Sequence, residues 1–453
     1  MKLFVKDRNF YKTFFSMTGI IAMQNLITFA VNLADNVMIG GYSQTALSGV
    51  AMVNQIQFLL QMLMLGTGSA IGVLGAQYWG KKELQPIRKA TSIGVLLGAI
   101  IAAVLMGLVF FFPRQAVGLL TNEQSVIAEG SKYLVIICFS YVPFAISNNL
   151  LSALRSVETV KIGFVVNLLA LVVNIVLNYG LIYGRLGMPE MGVEGAAIAT
   201  LTARLTEFAV VAVYVLLLDK KICWRPGHLL HIDRLMFKDY IRVGMPLILA
   251  NGIWGIAMSV QTAILGRLGE DTIAANSIAT TIFQVVSVVA YAASNASSVI
   301  TGKTVGEGDI PRVKAYTRTM QILFLAIGVV TGAVLFSCTD LIIGLYDVTP
   351  AAAELSRQFI LVLSVTVVGT AYQCSCLTGI VTGGGDTKFV LINDLIHQWL
   401  IVIPAAFLSA FVFPAPLWVV FACLKADQIL KCFVAIVKVN RYRWIRVLTR
   451  ENL

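Results

Sequence analysis

From Thr13 to Val31 the chain carries no charge, and the same texture recurs to its end, with long apolar runs cut by short polar breaks. A helix needs about 20 predominantly apolar residues to cross a hydrocarbon core of roughly 30 Å. Reading each run between its breaks predicts twelve helices, near 13–39, 47–78, 90–112, 133–154, 162–183, 194–218, 241–268, 273–300, 315–337, 356–380, 389–412 and 416–438. The breaks GGYSQ, YWGKKELQP, FPRQ, RLGMPEMG, RLGED, VGEGDIP, YDVTP, GGGDTK and FPAP are built of residues that stop helices and turn chains. The opening MKLFVKDRNFYK and the run behind it have the outline of a secretory leader. That run lasts about 25 residues, is followed by Asn and Asp, and ends in no small-residue cleavage site, so it is read as a retained first helix.

Composition agrees with a polytopic membrane protein. Of 453 residues, 58% are hydrophobic and 13% charged, whereas a soluble domain carries about a quarter charged residues. A net charge of +11 suits nucleic acid only until its placement is considered. About 27 of the 34 Lys and Arg fall in the N-terminus, the loops after even-numbered helices and the C-terminal tail, which is the positive-inside asymmetry. Lys81, Lys82, Arg88, Lys89, Lys220, Lys221, Arg225, Lys303, Arg312, Lys314, Arg441, Arg443 and Arg446 belong to this set. The odd loops hold only Arg114, Lys132, Arg185, Arg267 and Arg357. Both termini are therefore expected in the cytoplasm, with the chain multi-pass in the cell inner membrane, and only an even number of crossings permits that. The seven cysteines, without CxxC spacing, read as apolar packing residues. His228, His231 and His397 are too dispersed to cage a metal.

The longest polar insertion, 219–242, divides the chain almost in half. Sliding the second half onto the first by about 226 residues aligns IGGYSQTALSG with LGRLGEDTIAAN, GAQYWGKKELQPIRKA with TGKTVGEGDIPRVKA, and LRSVETVK with VTGGGDTK. The shared order and offset point to duplication. Six crossings per copy make the two copies run the same way, as in transporters built of parallel repeats. The expectation is an all-α integral membrane fold of twelve transmembrane helices in two pseudo-symmetric six-helix lobes. An N-terminal lobe is expected over 1–218, a cytoplasmic linker over 219–240 and a C-terminal lobe over 241–453.

Ionisable residues inside spans are costly and normally face a cavity or a partner. Arg204 and Glu207, three apart on one helix, can neutralise each other. Lys425 and Asp427 are expected to find structural partners, Asp394 to anchor a loop near Lys388, and His397 to pack. Asp35 differs, because its own helix offers no cation. At ~1.5 Å per residue it lies about 8 Å inside the outer end of helix 1. NIVLN puts Asn174 and Asn178 on one face of helix 5, and Thr200 lies at a similar depth on helix 6. A carboxylate, two amides and a hydroxyl at one level suit Na⁺ or a titrating carboxyl. The plainer alternative is interhelical hydrogen bonding that glues the lobe. On the repeat alignment Asp35 falls opposite Gln261, so the acid is not duplicated.

At these residues the chain resembles the multidrug and toxic compound extrusion (MATE) family, in its DinF-like bacterial branch, over essentially its whole length. LADNVMIGG, GAQYWGKKE, MGVEGAAIAT, MPLIL at the start of helix 7, GGGDTK and RWIRVLT carry the resemblance. It implies a cation-coupled antiporter that exports drug-like or metabolite molecules from the cytoplasm by alternating access. It needs no cofactor beyond H⁺ or Na⁺ as coupling ion, and works as a monomer with small organic substrates and no obligatory protein partner. Carried over by motif, Asp35, Asn174, Asn178 and Thr200 form its cation site. Two departures matter. Some members place an acid where this chain has Asn178, so an acid pair is not available here. Other branches use acids in helix 7, where this chain offers only neutrals such as Asn251 and Gln261, so the coupling chemistry falls to the first lobe.

Substrate contacts are expected from adaptable side chains, with Met23, Gln24, Gln57, Gln61, Gln261 and Gln284 as candidates. A flippase for lipid-linked oligosaccharides is the alternative within the wider superfamily. It calls for more helices or a strongly cationic cavity. A membrane-embedded enzyme lacks support, since no nucleophile–base pair, HExxH or facing acid pair is visible in the sequence.

Overall fold

A chain in hydrocarbon must satisfy its backbone polar groups within itself, which leaves helices or a closed barrel. The computed structural model describes residues 4–230, 232–344, 349–413 and 415–450, and those residues contain helices and no strand. His231, the Tyr346–Val348 part of the YDVTP break and Pro414 of FPAP lie outside the described residues. Eleven helices among the described residues are long and apolar enough to span a membrane. They are α1 (Arg8–Tyr42), α2 (Gln44–Gly80), α3 (Leu84–Phe111), α4 (Gln124–Ser156), α5 (Lys161–Tyr183), α6 (Gly192–Leu218), α7 (Arg234–Gly266), α8 (Asp271–Gly306), α9 (Ile310–Ser337), α10 (Pro350–Val381) and α11 (Thr387–Val412). The twelfth apolar run, α12, is helical in two pieces, Leu417–Lys425 and Asp427–Asn440, broken at Ala426. The fold is thus the expected all-α one, with twelve membrane segments in two six-helix halves.

Several helices overrun their apolar windows because the polar ends remain helical. The starts of α4 and α7 move most: α4 starts at Gln124 where the sequence suggested 133, and α7 starts at Arg234 where it suggested a beginning near 241. Asp233 sits before its first turn, and its carboxylate accepts the Leu235 N–H at 2.9 Å. MPLIL therefore lies inside α7, with Pro246 taken up within the helix. Ahead of it, part of the polar insertion is packed: Trp224 is buried and donates its indole N–H to Ser92 Oγ at 2.9 Å.

The helices gather into two compact units. One comprises 23–75 and 83–248, and the other 1–22, 76–82 and 249–452, so α1, α2 and α7 each contribute to both. The first unit has a core around Ile39, Val53, Leu60, Met64, Tyr133, Tyr141 and Ile182. The second has one around Ile278, Phe359, Leu363, Val402 and Phe421, with the Phe359 and Phe421 rings stacked 4.0 Å apart. In the first unit α3 packs on α4, and in the second its repeat counterpart α9 packs on α10. Large apolar side chains such as Val104, Leu108, Val172, Leu217, Val330 and Phe433 are left exposed, as lipid-facing positions require.

The repeat is visible at a close helix contact of the second unit. Gly80 and Gly306, separated by the repeat offset, end α2 and α8. A Cβ added to Gly80 meets the Lys303 carbonyl oxygen at 2.0 Å, and one added to Gly306 meets that of Gln77 at 1.9 Å. Gln77 and Lys303 are themselves repeat counterparts, so the contact is reciprocal, and neither glycine has room for a side chain.

Three of the resemblance motifs meet beside that contact. The fully buried Gln77 amide donates to the carbonyls of Gly383 (3.3 Å) and Arg446 (3.1 Å), and its oxygen accepts the Leu448 N–H at 2.8 Å. Asp386, also buried, is held by Lys438 at 2.8 Å and Arg446 at 3.0 Å. Trp444 is fully buried against Gly384. GAQYWG, GGGDTK and RWIRVLT thus make one clasp between the end of α2, the α10–α11 turn and the tail.

Candidate functional site

The first unit brings Asp35, Asn174, Asn178 and Thr200 together. Asp35 comes from α1, the two asparagines from one face of α5 and Thr200 from α6. All four are buried, with Asn174 and Asn178 fully so. Asn178 Nδ2 donates to Asp35 Oδ1 and, at 3.1 Å, to Asn174 Oδ1. Asn174 Nδ2 donates to Thr200 Oγ1 at 3.3 Å. The result is a hydrogen-bonded line, Thr200–Asn174–Asn178–Asp35, running from α6 through α5 to α1. Asn178 Oδ1 is buried and has no hydrogen-bond partner among the described residues. A buried amide oxygen left unpaired costs about 1–3 kcal/mol, so the line holds one unmet acceptor beside its only carboxylate.

Two neighbours extend the cluster. The Tyr133 hydroxyl from α4 lies next to Thr200 and Gln57. A tyrosine in an apolar run reads as packing, so nothing in the sequence singles it out. Arg204, one turn beyond Thr200 on α6, is near enough for its charge to act on Asp35. Its guanidinium pairs with Glu207 at 2.9 Å and lies 4.8 Å over the Phe144 ring. The i,i+3 pairing expected of Arg204 and Glu207 is present, and Asp35 itself makes no salt bridge among the described residues.

The candidate substrate residues are more scattered. Gln57 sits by Tyr133, and its buried amide nitrogen has no partner among the described residues. Gln61 is half-buried, and Met23 and Gln284 are exposed. Gln24 is buried, and its amide donates to the Val160 carbonyl at 2.8 Å. It therefore ties α1 to the residue ahead of α5 and its donor is occupied. Gln261 is buried in the other unit, where its Nε2 lacks a partner among the described residues.

In the second unit lies an in-span cation that the sequence reading did not pick out, Lys431. Asp394 pairs with it at 2.8 Å, so the expected anchoring near Lys388 gives way to an interhelical ion pair between α11 and α12. Asp427 approaches the same ammonium at 3.3 Å, and Lys425 lies 5.1 Å over the Phe283 ring. His397 bonds through Nδ1 to the Asn393 main-chain oxygen at 2.9 Å, a packing role as expected. No group of three or more His, Cys, Asp or Glu poised for a metal occurs among the described residues.

The MatE family model matches residues 21–180 and again 246–408, one match in each half of the chain. A probable multidrug resistance protein NorM of Thermotoga maritima is 25% identical over 433 residues, covering 95% of this chain and 92% of that one. A probable NorM of Listeria monocytogenes is 27% identical over 88% of this chain and 87% of its own. The multidrug resistance protein PmpM of Pseudomonas aeruginosa is 26% identical over 87% and 83%. Among solved structures, a mutant of the Vibrio cholerae MATE transporter VcmN superposes with a TM-score of 0.88 at 16% identity, covering 98% of this chain and 99% of that one. A MOP superfamily transporter from Pyrococcus furiosus superposes with a TM-score of 0.87 at 17% identity, over 97% of each chain. With the family model matched across both repeats, the chain belongs to the MatE family of multidrug and toxic compound extrusion proteins.

Proposed function

We propose that the protein is a cation-coupled antiporter that exports small organic molecules across the cell inner membrane, with both termini in the cytoplasm, and that Asp35 is its coupling residue. The observation that carries this reading is the Asp35–Asn178 contact. A buried carboxylate accepts the neutral Asn178 amide from another helix and makes no salt bridge among the described residues, with an unmet amide oxygen beside it. The relatives' names supply the substrate class, and the family supplies alternating access; the protein acts as a single chain without a bound cofactor.

Ionised Asp35 favours the arrangement in which Asn178 donates to it and so holds α1 against α5. A proton on the carboxylate removes the buried charge and replaces an acceptor with a donor, which loosens that hold without moving any other group. Na⁺ asks for more. The Asn178 amide must turn over so that Oδ1, now unpartnered, faces the ion together with Asp35, since hard cations take oxygen ligands. Protonation needs no such turn, so the arrangement as it stands favours H⁺ over Na⁺. Either ion shifts the equilibrium between two packings of α1, α5 and α6 only through its different affinity for each.

The test is dye efflux in everted vesicles with ΔpH and ΔNa⁺ imposed separately. Efflux driven by ΔpH alone is expected. Efflux driven by ΔNa⁺ alone reassigns the ion to the turned-over Asn178 arrangement, and inertness to both gradients removes the coupling reading.

A further inference from the structure

The second unit contains a charged network that the coupling mechanism does not use. Lys431 on α12 is almost fully buried, with only 5% of its side chain exposed, and takes Asp394 on one side and Asp427 on the other. Asp427 also accepts the Gln428 amide at 2.8 Å, and Gln428 accepts that of Gln373 on α10 at 2.8 Å. The network therefore ties together α10, α11 and α12.

Each of these helices loses regular geometry beside it. α12 breaks at Ala426, one residue before Asp427. α11 widens to a π-helix over Ile396–Val402, just after Asp394, and α10 does the same over Ser375–Val381, just after Gln373. Widened turns occur mostly at functional sites, and irregular backbone at membrane depth is tolerated only inside protein or along a water-filled cavity.

A small cavity opens at that point, lined by Trp254, Leu391, Asp394, Gln398, Trp399 and Lys431, with space of about 10 Å³, roughly one water. Two of its walls carry unmet donors. Gln398 is only 3% exposed, yet its Nε2 has no partner among the described residues, and neither has the Trp399 indole N–H. Together with the ammonium of Lys431, three donor groups line one cavity. Asp394 is the lining carboxylate, and its side chain is 30% exposed while Lys431 is sealed.

We propose that this cavity is a binding site for the carboxylate of a substrate, and that Asp394 stands in for that carboxylate when the site is empty. Resting on the reading of the protein as an exporter, this assigns it a substrate class: organic molecules bearing a carboxylate. An incoming carboxylate takes over Lys431 and satisfies Gln398 and Trp399 as well, which Asp394 does not. Asp394 swings toward the open side, while Asp427 stays on Lys431. No net charge is created at Lys431 by the exchange, so the swap avoids the cost of an unpaired buried ammonium.

The experiment measures binding, not transport, on the purified full-length protein in detergent, by titration calorimetry with 1-naphthoate and its uncharged analogue 1-naphthamide. Wild type is expected to bind the carboxylate about tenfold more tightly than the amide, within the range set by charge-assisted hydrogen bonds. Asp394→Asn removes the internal competitor and is expected to tighten naphthoate binding several-fold. Lys431→Met abolishes the preference, and Gln398→Ala, a milder change with less risk to folding, reduces it. A purely structural ion pair predicts that Asp394→Asn weakens or leaves unchanged the binding of both probes. That result, or equal affinity of wild type for the two probes, overturns the proposal. Because no gradient is involved, loss of the preference leaves cation-coupled dye efflux standing. Absence of efflux with the preference intact sinks the coupling mechanism alone.

Discussion

Asn178 gives its side-chain N–H to the carboxylate of Asp35 and keeps its own carbonyl oxygen buried and unpaired among the described residues. The donor half of this amide is fully used, on Asp35 and Asn174, while the acceptor half is idle. The donor half suits the ionised carboxylate, and the idle oxygen is left for a donor or a cation.

Asn178→Ala removes the donor from a buried carboxylate. It is expected to destabilise the ionised form by about 1–3 kcal/mol. The measurement is thermal unfolding of the purified protein against pH. The deficit of the variant is greatest at high pH, where Asp35 is charged, and shrinks as protonation removes the need for a donor. A deficit independent of pH assigns Asn178 to simple packing.

Gln77→Ala leaves the carbonyls of Gly383 and Arg446 and the N–H of Leu448 without their partner. A loss of about 1–3 kcal/mol is expected from the unmet groups, read as a lower midpoint of thermal unfolding in detergent. Gly306→Ala and Gly80→Ala are each expected to be as damaging, since the added methyl overlaps a backbone oxygen on the facing helix. Similar losses at the two glycines would reflect the reciprocity of the contact. A benign alanine at either position contradicts the close approach.

At the N-terminus Asp7 lies outside the membrane segments. The hydroxyl of Tyr316 donates to it at 2.5 Å and is the main influence holding its carboxyl below the usual range, against the opposing effect of burial; backbone N–H groups and Arg312 add to the lowering. A depressed carboxylate contributes stability that is present above the unfolded value of about 4 and is lost as pH falls through the folded value. Asp7→Asn is therefore expected to melt below wild type at pH 7, with the gap closing below about pH 4. A gap unchanged across that window rules out the linkage.

Much of this molecule can be read from its residues, and the exceptions have physical reasons. The helix count follows from the runs between breaks, because hydrocarbon permits few alternatives. The start of α7 does not, since an amphipathic stretch such as LMFKDYIR remains helical outside the apolar window. The grouping of Asp35 with Asn174, Asn178 and Thr200 was legible because helical rise fixes depth and i,i+4 spacing fixes a face. Tyr133 escaped notice because an apolar run hides its hydroxyl. Lys431 escaped because its shorter ion pair is with Asp394 on another helix, although Asp427, four residues before it on the same helical piece, was within i,i+4 reach. Gln24 looked available from sequence, and only the Val160 carbonyl shows where its amide goes.

Coupling of transport to a cation gradient by Asp35 is tested most directly by comparing two modes of transport in the same proteoliposomes. Wild type and Asp35→Asn are each assayed for downhill exchange of a fluorescent dye and for uphill dye movement driven by ΔpH. Asp35→Asn is expected to retain downhill exchange and to lose gradient-driven movement by about tenfold or more, as loss of a typical coupling free energy implies. Full gradient-driven movement by Asp35→Asn would contradict the account.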